Sequence, residues 1–202
     1  MSPAATGSVR RPGIASIMTA GCLSVVVLAQ PLITNRGYES GKEPGEAMIV
    51  APGSAVIEGW TVVDGDISYI GRKWQHAEGA RSVNLLCGGG ISQTIQTEPD
   101  QTYEVRFNMA GDPDAAPSLK TVIVSLGAET RVFTFDTAGR SRTDMGWASR
   151  THVFKASGKT SMLAFRSPKD KCSAPAVDNI RVDPVAICVE NQSAGGACVN
   201  AH

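Results

Sequence analysis

The stretch "TYEVRFNMA", Thr102–Ala110, decides the fold of this chain because its side chains alternate in character. The apolar members are Tyr103, Val105, Phe107 and Met109, and the polar members between them are Thr102, Glu104, Arg106 and Asn108. A period of two predicts a half-buried antiparallel strand, since successive side chains of a strand point to opposite faces. The apolar face belongs to a core, and the polar face meets water or a ligand.

Similar short apolar segments recur on both sides of this strand, separated by turn signals such as "DG" and "GGG". The predicted strands cover residues 55–63, 67–70, 82–86, 91–97, 102–110, 120–126, 131–136, 148–156, 160–167 and 176–182. No window carries a clear helical stripe, and 202 residues suffice for one domain but are short for two. We therefore predict an all-β fold, an antiparallel two-sheet β-sandwich or barrel.

The first 29 residues have the pattern of a targeting segment. Arg10 and Arg11 precede an apolar run, 13–29, that ends with small residues before Gln30. This pattern predicts a secretory signal peptide over 1–29, with an uncleaved anchor or a lipoprotein cysteine at Cys22 as alternatives. The mature chain then divides into a β-sandwich domain over 30–184 and a short cysteine-containing tail over 185–202.

The charge pattern and the motif content exclude several functions. The formal net charge is zero and the basic residues are scattered, which argues against nucleic acid, or a membrane surface after signal cleavage, as partner. The sequence contains no nucleophile elbow, zinc-protease motif or phosphate-binding glycine loop. A catalytic reading of Cys87 with His76 is weaker than a disulfide reading, so we predict a protein that is not an enzyme.

Four cysteines remain after removal of the signal segment, which predicts two disulfides in an exported protein. Cys188 and Cys198 flank a flexible polar segment whose ends can meet. Cys87 would then pair with Cys172, although four cysteines allow three connectivities and the sequence does not choose among them.

One loop places an aromatic ring among polar side chains. In "GRKWQHAEGARS" Trp74 is accompanied by Arg72, Gln75 and His76, and these four are the predicted ligand-binding residues. An exposed ring beside hydrogen-bonding groups suits a polar ligand such as a sugar, although a ring folded onto the sandwich edge fits equally well. Trp60 is predicted to lie in the core and Trp147 to serve packing.

Several segments together resemble a known family. The runs 59–85, 88–113, 133–147 and 175–182 resemble the bacterial choice-of-anchor C family, which is similar to the plant cell-wall family called domain of unknown function 642. The resemblance implies a galactose-binding-like jelly roll in a protein of the cell surface, periplasm or extracellular space. It also implies non-catalytic binding of a polysaccharide, a glycoconjugate or a cell-wall polymer.

Two other functions stay open beside carbohydrate binding. One is a structural envelope or extracellular matrix protein that contacts other proteins, and the less favoured one is an uncharacterised glycan hydrolase. The chain departs from the anchored bacterial proteins because no apolar span or basic tail follows Cys198, so free secretion is expected.

The resemblance also implies a metal site. Related sugar-binding jelly rolls hold a structural calcium ion near the chain ends, between an early glutamate and an aspartate of the last strand. The matching residues here are Glu39 and Asp178. Calcium binds oxygen ligands in irregular geometry, which gives a reason for a carboxylate in the middle of the strand "AVDNIRV". The alternative is that Asp178 accepts backbone N–H groups.

Overall fold

The computed structural model describes residues 30–170, 172–189 and 197–199, with the backbone alone for 187–189 and 197–199. The predicted signal peptide, including Cys22, and the rest of the tail lie outside these residues. Within the described part, no helix is long and apolar enough to cross a membrane.

The described residues form thirteen strands in three antiparallel sheets. The strands are β1 (Ala47–Val50), β2 (Thr61–Val62), β3 (Ile67–Ile70), β4 (Ser82–Leu85), β5 (Gly90–Gln96), β6 (Thr102–Gly111), β7 (Leu119–Leu126), β8 (Glu129–Asp136), β9 (Ala148–Lys155), β10 (Thr160–Arg166), β11 (Pro175–Pro184), β12 (Ile187–Val189) and β13 (Ala197–Val199). A six-stranded sheet has the order β1-β3-β4-β11-β6-β9, and a five-stranded sheet has the order β2-β5-β10-β7-β8. Strands β12 and β13 pair only with each other.

The apolar faces of the two larger sheets enclose one core. The apolar members of β6 are buried as the alternation predicts, with Phe107 at 2% exposure in edge-to-face contact with Phe165 of β10. Trp60 and Tyr69 are buried in the same core, so the prediction for Trp60 is confirmed. The predicted antiparallel two-sheet β-sandwich is likewise confirmed.

Two predicted strand boundaries differ from the structure. Within the segment 55–63 only Thr61–Val62 forms a strand, and Ile57 makes an isolated bridge with Gly41. Trp60 donates its indole N–H to Asn35 O at 3.0 Å, and the chain just before it makes a turn. Strand β1 was not predicted, since its four residues stand within a segment rich in glycine and proline. Strand β1 forms because its backbone pairs with β3, a long-range contact that the local sequence does not predict.

A disulfide joins Cys87 to Cys172, with their Cα atoms 4.3 Å apart, and confirms that predicted pair. Cys87 is therefore not available as a nucleophilic thiol. The backbone of the β12–β13 ladder sets Cys188 opposite Cys198. Their side chains lie outside the description, and the second disulfide stays a prediction.

Strand β11 contains an irregularity at its centre. Asp178 pairs with Asn108 of β6 and Arg181 pairs with Arg106, so the register shifts between them. Asn179, within the shift, has a φ of 50°, a left-handed conformation that asparagine tolerates better than most residues. Because Asn108 belongs to the polar face of β6, Asp178 lies on the outer face of the sheet, yet it is fully buried.

Candidate functional site

The loop between β3 and β4, residues 71–81, explains the burial of Asp178 because it folds over the outer face of the six-stranded sheet. Asp178 Oδ2 accepts backbone N–H groups from Ala77 and Glu78, each at 3.0 Å. Its Oδ1 accepts the N–H of Asn179 at 2.7 Å. The carboxyl group thus fixes the middle of the 71–81 loop against the last strand of the sandwich.

Glu39 fixes the end of the same loop. Its Oε1 accepts the backbone N–H groups of Ala80 at 2.9 Å and Arg81 at 3.0 Å. Gly79 has a φ of 61°, and a Cβ added there would collide with Glu39 Oε1. The left-handed backbone favours glycine at this position, and any other residue would also displace the Glu39 carboxylate from the loop.

The pKa of Asp178 reflects its buried position. Burial raises the pKa of this carboxyl from 3.8 to about 7, and the nearby charge of Glu39 adds to the rise. The N–H groups of Glu78, Asn179 and Ala77 oppose it, since hydrogen bonds to a carboxylate favour the charged form.

The calcium ion predicted at Glu39 and Asp178 stays a prediction. Both carboxyl groups already accept hydrogen bonds from backbone N–H groups. The positive hydrogens of these groups occupy lone pairs that a calcium ion would need. Among the described residues, no group of three or more His, Cys, Asp or Glu side chains is placed to hold a metal. The described oxygens as arranged therefore do not form a calcium shell.

Thermal unfolding after removal of divalent ions tests the calcium prediction. If calcium is structural, the midpoint falls on chelation, recovers with added calcium, and no longer responds in Glu39→Gln. A midpoint that is the same with and without calcium contradicts it.

Trp74 does not offer the exposed ring that a ligand would need. Its side chain is 5% exposed, and its indole N–H donates to Ser82 Oγ at 3.0 Å. The ammonium of Lys73 lies 5.0 Å from the centre of the ring. The expectation of exposure is wrong because Ser82 of β4 gives the indole nitrogen an internal partner.

Unlike the buried Trp74, His76 is partly buried and Arg72 is exposed. His76 Nε2 lies 2.5 Å from the carbonyl oxygen of Gly71, so this nitrogen carries the proton, while Nδ1 accepts from Ser82 Oγ at 3.1 Å. Partial burial lowers the pKa of His76 and favours the neutral ring that this network requires. Arg72 is exposed and does not line the cleft described next.

An open cleft of about 400 Å³ lies between the 71–81 loop and the β8–β9 loop, residues 137–147. Its lining residues are Gln75, His76, Ala77, Asn108, Asp144, Gly146 and Trp147. The Trp147 ring is half-buried against the core, and its N–H donates to the carbonyl oxygen of Gln75 at 2.8 Å. This bond fixes the ring while part of it remains accessible, so the cleft has a rigid aromatic wall.

The polar groups of the cleft have unused hydrogen-bonding capacity. Gln75 Oε1 accepts the N–H of Met145 at 3.2 Å, and Asn108 Oδ1 accepts the Asn179 amide at 3.0 Å. Within the described part of the chain, neither the Gln75 nor the Asn108 side-chain amide nitrogen donates a hydrogen bond to the protein. Asp144 is exposed and lies 3.6 Å from Arg140, so its carboxylate can still accept. The cleft thus offers two donors and an acceptor beside one ring.

Gln75 and His76, which the sequence predicted as ligand-binding residues around Trp74, line this cleft. Trp147, Asn108 and Asp144 line it as well and were not predicted. Asn108 had a signal, since it lies on the polar face of β6 that was predicted to meet water or a ligand. Trp147 follows "SRTDMG", a polar run ending in glycine that is comparable to the surroundings of Trp74. Local polarity did not reveal which of the two rings folds inward.

The fold is an antiparallel two-sheet β-sandwich with an open cleft beside its six-stranded sheet. The model of the family described as "Protein of unknown function (DUF642)" matches residues 31–183, and the chain belongs to this family. The narrower resemblance to the bacterial choice-of-anchor C proteins stays a prediction.

Individual relatives are distant. Halomucin of Haloquadratum walsbyi is 26% identical over an alignment of 157 residues, which covers 71% of this chain and 2% of halomucin. An arabinose-bound GH51 α-L-arabinofuranosidase has a TM-score of 0.50 at 12% identity, with 78% of this chain and 27% of that chain covered. The CBM35 of Paenibacillus barcinonensis has a TM-score of 0.44 at 14% identity, with 67% and 98% covered. Similarity at these identities concerns the fold alone.

Proposed function

We propose that this domain binds a polysaccharide or glycoconjugate in the cleft between the 71–81 and 137–147 loops, without cleaving it. The observation that carries this function is the half-buried Trp147 ring, held by Gln75 and surrounded by polar groups with free hydrogen-bonding capacity. A ligand for such a cleft must be polar around its edge and apolar on one face.

Sugars have this combination. The C–H groups on one face of a pyranose pack on an indole, while the hydroxyl groups around the ring both donate and accept hydrogen bonds. The Gln75 and Asn108 amides suit hydroxyl acceptors, and the Asp144 carboxylate suits a hydroxyl donor. The openness of the cleft to solvent fits an inner or terminal unit of a long chain.

An extracellular, cell-surface or periplasmic location belongs to the same proposal. The Cys87–Cys172 disulfide supports it, because disulfides persist in oxidising compartments. We also propose that the polysaccharide is a cell-wall polymer, as the family resemblance implies.

The substitution Trp147→Ala tests the cleft. Loss of the stacking surface is expected to weaken glycan binding about 10-fold to 100-fold, the range for removal of a central aromatic contact. A glycan array identifies a binding polysaccharide, and calorimetry then measures the affinity of the variant for it. Trp147→Phe keeps a ring without the N–H and should retain part of the affinity.

Val153→Ala is the matched control, because Val153 is an exposed apolar residue of the adjoining strand β9, 46% exposed and outside the cleft. It should bind as the wild type does. Unchanged binding by Trp147→Ala would exclude this cleft, and absence of all glycan binding would favour the structural envelope or matrix protein. Release of new reducing ends from the bound glycan would contradict the non-catalytic part of the proposal.

A further inference from the structure

The cleft continues along the outer face of β6 as a longer groove. Asn108 also lines a neighbouring hollow of about 140 Å³, together with Arg106 and Arg181. These two arginines in turn line a third hollow, of about 310 Å³, with Arg36 and Asp183 on its walls. Each hollow shares lining residues with the next one along β6, and we call the three together the β6 groove.

Two arginines lie side by side in the β6 groove. Arg181 of β11 is the direct register partner of Arg106 of β6, and both are exposed. Like charges directly opposite each other on neighbouring strands are destabilising. The register shift after Asp178 brings Arg181 to this position, and such irregularities often redirect a side chain towards a functional site.

The charges of these arginines are not compensated equally. Arg106 lies 3.1 Å from Glu104 and 2.5 Å from Asp183, and Arg36 lies 2.7 Å from Glu78. For Arg181, no carboxylate oxygen stands within 4.0 Å in the part of the chain that is described, and its Nε is 3.5 Å from Asn179 Oδ1. The Arg181 guanidinium therefore keeps its two terminal nitrogens for an anion.

We propose that the Arg181 end of the β6 groove is a subsite for an acidic sugar, so that the ligand is a polysaccharide bearing carboxylates, such as a uronate polymer. This subsite rests on the proposed function, because Trp147 supplies the neighbouring sugar contact. A guanidinium presents parallel N–H donors that match the two oxygens of a carboxylate.

The distance along the groove sets the kind of ligand. Asn108 at the cleft and Arg106 beside Arg181 are two residues apart on one strand, about 7 Å at the usual rise. A ligand in contact with both Trp147 and Arg181 must reach past one sugar ring, so it is an oligosaccharide or a polymer. The site is open to solvent, so its charge contribution should weaken at high salt.

Paired polymers test the acidic subsite. The probes are polygalacturonate and alginate, each compared with its carboxyl-esterified form, by calorimetry at low and high sodium chloride. The wild type is expected to bind at least one acidic form about tenfold more tightly than its ester, the effect of one charge-assisted contact. Arg181→Gln should reduce binding of the acid to the level of the ester.

Arg131→Gln is the matched control. Arg131 of β8 is also exposed, and among the described residues it is in no ion pair, but it lies outside the β6 groove. It should leave the preference for the acid unchanged. Equal losses in both variants would show attraction by overall charge and overturn the subsite, as would equal binding of acid and ester by the wild type.

Two further measurements separate the subsite from the cleft. Trp147→Ala should weaken the acid and the ester alike, whereas Arg181→Gln affects the acid alone. Binding of neutral glycans without any preference for an acid would overturn the subsite and leave the proposed function intact. Polyacrylate that binds with the same dependence on Arg181 would show a site for any polyanion and would overturn the assignment to a sugar.

Discussion

Serine at both Cys87 and Cys172 is expected to lower the free energy of unfolding by about 4 kcal/mol. The disulfide spans a sequence separation of 85 residues, and the entropy of closing so long a loop predicts about 4 to 5 kcal/mol. The bond links the turn after β4 to the segment before β11, two neighbours in the six-stranded sheet. Chemical unfolding of the oxidised wild type and of the double variant measures the difference.

The cysteines of the tail provide the comparison. Cys188→Ser with Cys198→Ser removes the predicted second pair, and its effect should be smaller because β12 and β13 form a ladder separate from both larger sheets. Peptide mapping without reduction should recover a fragment that joins Cys87 to Cys172. A double variant as stable as the wild type would show that the bond does not constrain the unfolded chain.

Alanine at position 178 is expected to lower the free energy of unfolding by about 3 kcal/mol at pH 5.5. The backbone N–H groups of Ala77, Glu78 and Asn179 would lose their acceptor, and each unsatisfied buried donor costs about 1 kcal/mol or more. The 71–81 loop would also lose its attachment to β11. Amide hydrogen exchange at Ala77 and Glu78 should become faster, and glycan binding in the cleft should weaken.

The pH dependence of this difference has a definite sign. The folded carboxyl of Asp178 has a pKa of about 7, above its ordinary 3.8, so the folded state holds the proton more tightly than the unfolded chain. The contribution of this raised pKa to the free energy of unfolding is fully present below about pH 4. It is lost as the pH rises to about 7, at up to about 1.4 kcal/mol per pH unit. The wild type should lose stability between about pH 4 and pH 7 along a slope that Asp178→Ala lacks, so the difference between the two should shrink over this range.

Asp183→Ala is the control for Asp178, since Asp183 is on the same strand but 54% exposed, in an ion pair with Arg106. Exposed ion pairs contribute about 0 to 1 kcal/mol, so this variant should remain close to the wild type at every pH. An Asp178→Ala difference that stays constant from pH 5 to pH 8 would contradict the raised pKa. A difference near zero at pH 5.5 would contradict the role of the carboxyl group as an acceptor.

The fold was largely predictable from the sequence because the period of two in Thr102–Ala110 and in its neighbours depends on the local chain alone. The failures came where pairing partners decide the structure. Strand β1 has few local signals and forms because β3 is beside it. The segment 55–63 looks apolar enough for a long strand, but its first part makes turns and only Thr61–Val62 pairs with β5.

The site was less predictable, because exposure of a side chain depends on distant contacts. Trp74 and Trp147 both follow polar loop residues, and the choice between them depends on Ser82, which accepts the indole N–H of Trp74. Asp178 stands in an apparently apolar strand, but the register with Asn108 puts it on the outer face. Its burial comes from a loop about one hundred residues earlier, which no local pattern in the last strand reveals.

If the cleft binds a glycan as proposed, the attachment of the 71–81 loop makes that binding depend on complete folding. One of its anchors, Glu39, comes from the beginning of the domain, and the other, Asp178, comes from the last strand of the sandwich. During synthesis the loop emerges long before β11, so a partly made or truncated chain has the residues of the cleft without their arrangement. Retention on an immobilised glycan would therefore select complete, correctly assembled molecules and could serve as a quality assay for the purified protein.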